Sequence, residues 1–271
     1  MFIDCKSIAK SIDEETIALT KVTKPKLVSL AVNPDEGTIS YLKSQQKKAK
    51  SLNVEHEIFV LDSVEILSEK LFEFSKDETV HGIFVAHPLP KGADELQVAS
   101  LIDPEKDVEG RNPVNLGRLM YGEESFAPCT AAAIVEILTR TTQLMGKNVV
   151  IVGRSNTVGL PLSVMLLRRD RSATVTVCHT KTQNLEEKTL QADIVVVAVG
   201  RAGFLKPEMV RENALVIDVG INVVGDRVVG DADPEVEKKC SLTPVPGGVG
   251  VVTTAILMNR VARIASRGGK V

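Results

Sequence analysis

The chain has 271 residues, of which 44% are hydrophobic and 25% are charged, and its formal net charge is -2 at pH 7. This length predicts two compact units or one large α/β unit, and the composition excludes a chain dominated by disorder. The near-neutral charge gives no basic surface for nucleic acid, and the apolar runs are too short to cross a bilayer. We therefore expect a cytoplasmic protein without nucleic-acid or membrane partners.

The first third of the chain alternates strand-like and helix-like segments. Its short apolar runs are KLVSLAV, EIFVL and GIFVAH, and the segments TISYLKSQQKKAKSL and SVEILSEKLFEF separate them. This order predicts a β-α-β-α-β arrangement. A polar, proline-containing stretch, DPEKDVEGRNPVNLGRLMYGEESFAPCT, follows, and a helical segment runs from Ala131 to Arg140. We place the crossing between two domains here, with one domain at residues 1–127 and the other at 128–251.

The second half of the chain repeats the alternation more strongly. The runs NVVIV, TVTVC, DIVVVAV and LVIDV are almost wholly apolar and β-branched. Such runs are typical of parallel strands that are covered on both faces, so we predict a Rossmann-like sheet. The last segment, TPVPGGVGVVTTAILMNRVARIA, predicts a turn and then an amphipathic helix. We expect this C-terminal helix, residues 252–271, to pack back on the first domain.

The junction after NVVIV is the strongest indication of a binding site. The strand runs into the segment Gly153–Gly159, and a helical pattern begins at Leu160. Backbone N–H groups and the helix dipole at such a junction form a seat for phosphate. The spacing is not GxGxxG, so the prediction depends on the three buried strands that follow.

The next strand indicates which dinucleotide this seat would take. NAD enzymes usually place an acid at its end, on the ribose 2′-hydroxyl, but this chain has Cys178-His179-Thr180-Lys181. A threonine hydroxyl and the cation of Arg154 suit a 2′-phosphate, which favours NADP over NAD. Lys181 can contribute, although a solvated loop charge explains it equally well. Cysteines and histidines lack the spacing of metal ligands, so we expect no metal site.

Several long segments together carry a resemblance to a known family. These segments, in chain order, are DPEKDVEG, PCT, VVGRSNTVGLP, CHT, IDVGIN and PVPGGVG. They resemble the methylenetetrahydrofolate dehydrogenase/cyclohydrolase family over nearly the whole chain. The resemblance implies a homodimer whose two domains flank a cleft, with an N-terminal α/β folate-binding domain and a second domain that binds NADP.

The resemblance also implies roles for individual residues. The residues that would contact the cofactor are Gly153, Arg154, Ser155, Thr180, Ile221 and Thr130. Thr180 stands where the family often has serine, and a hydroxyl survives the exchange. The residues that would bind the substrate are Tyr41, Ala86, Glu109, Pro246, Gly247 and Gly250. Tyr41, Gln45 and Glu109 occupy the catalytic positions.

The folate side departs from the family pattern at several positions. The family has a lysine four residues after the tyrosine, where this chain has Gln45, and Lys48 is the only plausible substitute. The family segment VQLPLP is VAHPLP here, which replaces a glutamine by Ala86. DVDG becomes DVEG, so that Glu109 carries the carboxylate, and Val251-Val252 replaces Pro-Met. We expect His87 to be a packing residue without a catalytic role.

These departures affect two reactions differently. Hydride transfer from methylenetetrahydrofolate mainly needs alignment, with Tyr41 stacking on the folate rings and Glu109 pairing with the aminopyrimidine edge. Hydrolysis of the methenyl product to 10-formyltetrahydrofolate needs a titrating group, which glutamine cannot supply. We therefore predict NADP-dependent dehydrogenase activity with weak or absent cyclohydrolase activity. Two alternatives stay open: an NADP oxidoreductase for another small substrate, and a nucleotide-binding regulatory module without turnover.

Overall fold

The computed structural model describes residues 1–267, so the last four residues of the expected helix 252–271 lie outside the described part. The first part of the chain alternates helices and strands as the sequence predicts, with additional helices before and after. In chain order these elements are α1 (Cys5–Thr20), β1 (Lys26–Val32), α2 (Glu36–Ser51), β2 (Glu55–Leu61), α3 (Val64–Lys76), β3 (Gly82–Val85), α4 (Glu95–Ser100) and α5 (Pro113–Met120).

Strands β1, β2 and β3 form a parallel sheet in the order β2-β1-β3. The central strand β1 is almost completely buried, as expected for a run that is apolar except for Lys26 and Ser29. Helix α3 presents Leu67, Leu71 and Phe74 to the core beside this sheet.

The second part of the chain contains the stronger strand pattern. Its elements are α6 (Cys129–Thr141), β4 (Asn148–Val152), α7 (Gly159–Leu166), β5 (Thr174–Cys178), α8 (Leu185–Leu190), β6 (Ile194–Val197), β7 (Leu215–Asp218), β8 (Asn222–Val224), β9 (Arg227–Val229), β10 (Ser241–Leu242) and α9 (Val249–Arg267). Two short 3-10 helices lie at Pro207–Met209 and Pro234–Lys238.

Five of these strands form a parallel sheet in the order β10-β7-β6-β4-β5. The chain pairs β4 with β5 on one side and then returns to pair β6 on the other side of β4. The order therefore reverses at β4, and ligands of open α/β sheets bind at such a switch point, beyond the carboxyl ends of the strands. The predicted glycine turn follows β4 directly. Strands β8 and β9 form a separate antiparallel hairpin.

The chain divides into two compact units, which confirms the two-domain α/β fold. The five-stranded unit comprises Met1–Ala9, Leu119–Glu124 and Pro128–Thr253, and the three-stranded unit comprises Lys10–Arg118, Ser125–Ala127 and the described residues from Thr254 onward. The expected boundaries at 127 and 251 differ from this division in short segments. The largest of these is Met1–Ala9, which joins the five-stranded unit because Phe2 bridges to Leu242 and Ile3 donates to the Leu242 carbonyl.

The expected packing of the C-terminal helix on the first domain is found for the described part of α9. From Thr254 onward, α9 belongs to the three-stranded unit. There Asn259 donates to the hydroxyl of Thr16, and Arg260 donates to the carbonyl of Val108, both at 3.1 Å. By length and composition α9 could also cross a membrane, but more than half of its most apolar stretch is buried inside the protein.

Candidate functional site

The turn after β4 is built around two close backbone approaches. Gly153 has a φ of 132°, and a Cβ atom there would collide with the carbonyl oxygen of Ala198. A Cβ atom on Gly159, where α7 begins, would collide with the carbonyl group of Gly153. Both positions therefore require glycine. The hydroxyl of Ser155 accepts a hydrogen bond of 3.1 Å from the Val158 amide, which closes the turn before the helix.

A cavity of about 410 Å³ lies beside this turn, within the five-stranded unit, and we call it the Gly153 cavity. Its lining contains two guanidinium groups, three polar side chains with hydroxyl or imidazole groups, and an apolar wall. These lining residues are Val152, Gly153, Arg154, His179, Thr180, Thr182, Leu185, Ala198, Val199, Arg201 and Phe204. The guanidinium of Arg201 lies 5.3 Å from the centre of the Phe204 ring, which favours a cation–π contact.

Two buried carboxylates hold the loops at this edge of the sheet. Asp231 accepts hydrogen bonds of 2.6–2.9 Å from the backbone amides of residues 199–201, so it orients the loop that carries Arg201. Asp218, at the end of β7, accepts from the amides of Gly220, Asp231 and Ala232. Burial raises the pKa of Asp218 to about 6, against the lowering by these three donors. Both carboxylates therefore hold the loops at the edge of the cavity in place.

The Gly153 cavity fits a dinucleotide with an additional phosphate. Its lining residues include two cations and two threonine hydroxyls, and no lining residue is a carboxylate. A carboxylate at the second strand would suit an unmodified ribose, whereas guanidinium groups bind phosphate through charge-assisted hydrogen bonds. The glycine turn allows the backbone to approach a pyrophosphate closely.

The structure brings together some of the residues that the sequence indicated for the cofactor. Gly153, Arg154 and Thr180 line the cavity, whereas Ser155 lies in the adjoining turn. The other three are not among the lining residues: Thr130 in the first turn of α6, Ile221 after β7 and Lys181 after β5. Sequence reasoning missed Arg201. Its position just beyond the buried strand β6, in the segment AVGRAG, could have indicated it.

A second cavity, of about 340 Å³, lies within the three-stranded unit, and we call it the Tyr41 cavity. Its lining residues come from α2, from β3 and from two loops, and they are Gly37, Thr38, Tyr41, Phe84, Ala86, His87 and Glu109. The first turn of α2 is fixed by Asp35, whose side chain accepts from the Thr38 amide at 2.7 Å. The ring of Tyr41 lies over Phe84 at 6.2 Å between centroids and is 46% exposed, so it offers an aromatic surface to a ligand.

The loop that carries Glu109 is held by the fully buried Asp107. The Asp107 carboxylate accepts from the amides of Gly110 and Asn112, at 3.0 and 2.8 Å, and from the side chain of Asn115 at 3.0 Å. These bonds close the segment DVEGRN into a compact turn with Glu109 and Arg111 on either side of Gly110. Asp107 therefore holds the shape of this turn, and Glu109, the other acidic residue of the segment, lines the cavity.

Glu109, Arg111 and His87 form a cluster of ionisable side chains at the wall of this cavity. Glu109 Oε2 lies 3.9 Å from Arg111 Nη1, which also lies 2.6 Å from His87 Nδ1. Burial raises the pKa of Glu109 to about 7, although Arg111 lowers it. Burial and the positive charge of Arg111 lower the pKa of His87 to about 4. At neutral pH the imidazole is therefore uncharged, and Glu109 is close to its titration point.

Gln45 lies one turn beyond Tyr41 on α2 and is buried in a polar network. Ser29 Oγ lies 3.2 Å from Gln45 Oε1 and 2.7 Å from His56 Nε2. Gln45 Nε2 is buried and has no hydrogen-bond partner among the described residues. Lys48, expected as a possible substitute for the missing lysine, is paired with Asp13.

The structure places the predicted substrate residues in two groups. Tyr41, Ala86 and Glu109 line the Tyr41 cavity. Gln45 lies on α2, the helix that carries Tyr41, but it is buried and does not line the cavity. Pro246, Gly247 and Gly250 belong to the five-stranded unit, in the turn before α9 and in its first residues. His87, expected to be a packing residue, lines the cavity instead. That expectation came from the general frequency of buried histidines, and the segment VAHPLP gave no contrary indication.

A parallel sheet with a glycine turn at its switch point and a cationic cavity beside it defines the class of dinucleotide-binding α/β proteins. Residues 3–109 match the model of the catalytic domain of tetrahydrofolate dehydrogenase/cyclohydrolase, and residues 128–268 match its NAD(P)-binding domain. The chain belongs to the tetrahydrofolate dehydrogenase/cyclohydrolase family.

Known relatives cover the whole chain. The bifunctional protein FolD of Pseudothermotoga lettingae is 63% identical over 270 residues, which are 99% of each chain. A crystal structure of the bifunctional enzyme from Campylobacter jejuni superposes with a TM-score of 0.94 at 36% identity and 99% coverage of both chains. The Trypanosoma brucei enzyme, solved in complex with NADP cofactor and inhibitor, gives a TM-score of 0.93 at 31% identity over 100% of this chain and 99% of its own.

Proposed function

We propose that this chain is an NADP-dependent dehydrogenase that oxidises 5,10-methylenetetrahydrofolate to 5,10-methenyltetrahydrofolate in one-carbon metabolism. The observation that carries the proposal is the Gly153 cavity: a glycine turn at the switch point with Arg154 and Arg201 in its lining. Family membership supports the folate-type substrate, and the NADP complex of the Trypanosoma brucei relative supports the cofactor.

The residues of the Gly153 cavity bind and orient the cofactor in this proposal. Gly153 admits the pyrophosphate to the turn, and Arg154, Arg201 and Thr180 bind the 2′-phosphate. Ser155, Thr130 and Ile221 complete the set that the family resemblance implies. When bound, NADP supplies the acceptor for the hydride.

The residues of the Tyr41 cavity orient the folate in this proposal. Tyr41 stacks on the ring system, and Glu109 pairs with the amino-pyrimidine edge through two hydrogen bonds. Ala86 contributes only shape, because it has no polar group. Pro246, Gly247 and Gly250 are assigned to the substrate by the family resemblance alone. Alignment of the methylene carbon is the main task of these residues, since the substrate nitrogens supply the electrons.

The cyclohydrolase step is proposed to be weak or absent. Gln45 does not titrate, and its carboxamide lies in a buried network with Ser29 and His56. Lys48, the nearest lysine on the same side of α2, is engaged by Asp13. Among the described residues, neither Gln45 nor Lys48 therefore supplies a free ammonium group for the proton transfer that an attacking water needs.

The finer organisation is also a proposal. We assign the folate role to residues 1–127 together with the C-terminal helix, and the NADP role to residues 128–251. The family resemblance supports a cytoplasmic homodimer, and the net charge of -2 supports the absence of nucleic-acid partners.

The test is a spectrophotometric assay with methylenetetrahydrofolate and either NADP or NAD. We expect reduced cofactor to accumulate faster with NADP, and little conversion of methenyl- to 10-formyltetrahydrofolate by the same preparation. A flat trace with tight NADP binding would indicate a nucleotide-binding module without turnover. Turnover with another small alcohol or amine but not with the folate would indicate a different oxidoreductase.

A further inference from the structure

His87 is the one imidazole among the residues that line the Tyr41 cavity. It lies between Ala86, which has no polar side chain, and the cis peptide bond to Pro88. The other polar side chains of the lining are Thr38, Tyr41 and Glu109. The ring is thus one of four polar groups that this cavity can offer to a ligand.

Two contacts of His87 compete for the position of its ring proton. Nδ1 lies 2.6 Å from Arg111 Nη1 and 2.9 Å from the carbonyl oxygen of Val85. The guanidinium can only donate and the carbonyl can only accept, so these two neighbours favour opposite protonation states of Nδ1. The Arg111 contact is the shorter one and carries a positive charge, so it decides: Nδ1 accepts from Arg111, carries no proton and forms no hydrogen bond with the Val85 carbonyl. A neutral imidazole with a bare Nδ1 has its proton on Nε2. Arg111 is in turn held by the carboxylates of Glu95 at 3.5 Å and Glu109 at 3.9 Å.

The same arrangement keeps the ring uncharged. The Arg111 cation next to Nδ1 opposes a second proton on the imidazole, and burial of the ring acts in the same direction. Near neutral pH, an uncharged ring with its proton on Nε2 donates a hydrogen bond through that atom.

We propose that His87 contacts the folate-type substrate and that Arg111 is the positioning residue that fixes its Nε2–H tautomer. The ring donates one neutral hydrogen bond to an acceptor atom of the substrate, a ring carbonyl oxygen or an unprotonated ring nitrogen. This inference rests on the proposed function, because it names a contact of the same cavity.

The first test compares steady-state kinetics of the wild type with His87→Leu and His87→Gln. Loss of one neutral hydrogen bond should raise the KM for methylenetetrahydrofolate about tenfold in His87→Leu, with the KM for NADP unchanged. His87→Gln keeps an N–H donor and should recover most of this loss. An equal folate KM for wild type and His87→Leu would overturn the proposal, as would a parallel rise in the KM for NADP.

His81→Leu is the matched control. His81 is a half-buried histidine of the same unit, its Nδ1 accepts from the Lys26 amide at 3.2 Å, and it does not line the Tyr41 cavity. We expect its folate KM to equal that of the wild type, and a rise equal to that of His87→Leu would contradict the contact. If the wild type itself shows no turnover, the proposed function fails rather than the role of His87.

The second test reads the tautomer without turnover. Nitrogen-15 spectra of histidine-labelled protein, with the His87 signal assigned by its loss in His87→Leu, should show a protonated Nε2 and a bare Nδ1. Addition of tetrahydrofolate should shift the Nε2 signal. A protonated Nδ1, or an Nε2 signal that does not respond to saturating tetrahydrofolate, would overturn the assignment.

Discussion

Gln45 is the residue on which the proposed difference between the two reactions depends. Its carboxamide is only 2% exposed and lies beside the hydroxyl of Ser29, which in turn contacts the imidazole of His56. Either orientation of the carboxamide leaves one of its terminal atoms without a protein partner. The position thus carries one hydrogen-bonding atom without a partner among the described residues, and no group that can transfer a proton.

We predict that Gln45→Lys increases the rate of methenyltetrahydrofolate hydrolysis by about 10²-fold, the lower end of the usual effect of general acid–base catalysis. The gain follows from a titrating amine at the position, and the buried ammonium should also lower the free energy of unfolding. Gln45→Met is the matched control, since it has similar length and no titrating atom. Equal hydrolysis rates for wild type and Gln45→Lys would contradict this role.

His56 makes stability depend on pH. Burial lowers its pKa from 6.5 to about 4, so the unfolded chain binds a proton more readily than the native protein. The contribution of the neutral ring to the free energy of unfolding is complete above pH 6.5, and it is lost as the pH falls towards 4. Between pH 7 and pH 5 this loss amounts to about 2 kcal/mol.

Urea denaturation at both pH values tests the effect of His56. The difference in free energy of unfolding between wild type and His56→Gln should change by about 2 kcal/mol between pH 7 and pH 5, in the direction that favours the variant at pH 5. His87, which also has a lowered pKa, contributes equally to both proteins and cancels. A constant difference would show that the pKa of His56 is the same in the native and in the unfolded protein.

At the scale of elements, the junction between β4 and α7 holds the proposed cofactor site. We predict that Gly159→Ala raises the KM for NADP at least about tenfold and lowers the free energy of unfolding by about 1–3 kcal/mol, because the new methyl group collides with the Gly153 carbonyl. Gly117→Ala in α5 is the control: no atom lies within 4 Å of its added Cβ. That change should stabilise the protein by about 0.5–1 kcal/mol. If Gly159→Ala leaves the KM for NADP unchanged, this turn does not form part of the cofactor site.

The long strands and the glycine turn could be predicted from sequence because their patterns are local. NVVIV, TVTVC and LVIDV are rich in β-branched residues, and each coincides with or contains a strand of the five-stranded sheet. The hairpin β8–β9 and the two-residue strand β10 were missed, because two or three residues are too few for a periodic pattern.

The surroundings of single site residues could not be predicted in the same way. Ser29, Gln45 and His56 come from three different elements, and only the packing of α2 on β1 and β2 brings them together. The contact of Arg111 with His87 likewise joins two loops that are 24 residues apart. Such contacts depend on tertiary structure, which is why a packing role was expected for His87, whereas the structure places it in the lining of the Tyr41 cavity.

At the scale of the whole molecule, the two units should respond separately to ligands. We predict that NADP alone, at about 100 times its dissociation constant, stabilises the five-stranded unit by about 2.7 kcal/mol. Hydrogen exchange should therefore slow in peptides that contain β4, β5 and β6 and stay unchanged in those that contain β1 and β3. Gly159→Ala should lose the protection at the same NADP concentration. Equal protection of both units would contradict a cofactor site confined to one of them.

Helix α9 gives the chain an unusual order of assembly during its synthesis. Residues 10–118 leave the ribosome early, but the core of their unit also needs the segment from Thr254 onward, which is translated on the order of ten seconds later. Until then the first sheet lacks the helix whose Asn259 and Arg260 bind Thr16 and the Val108 carbonyl. The segments of the five-stranded unit are therefore all translated before the three-stranded unit receives the helix that completes its core.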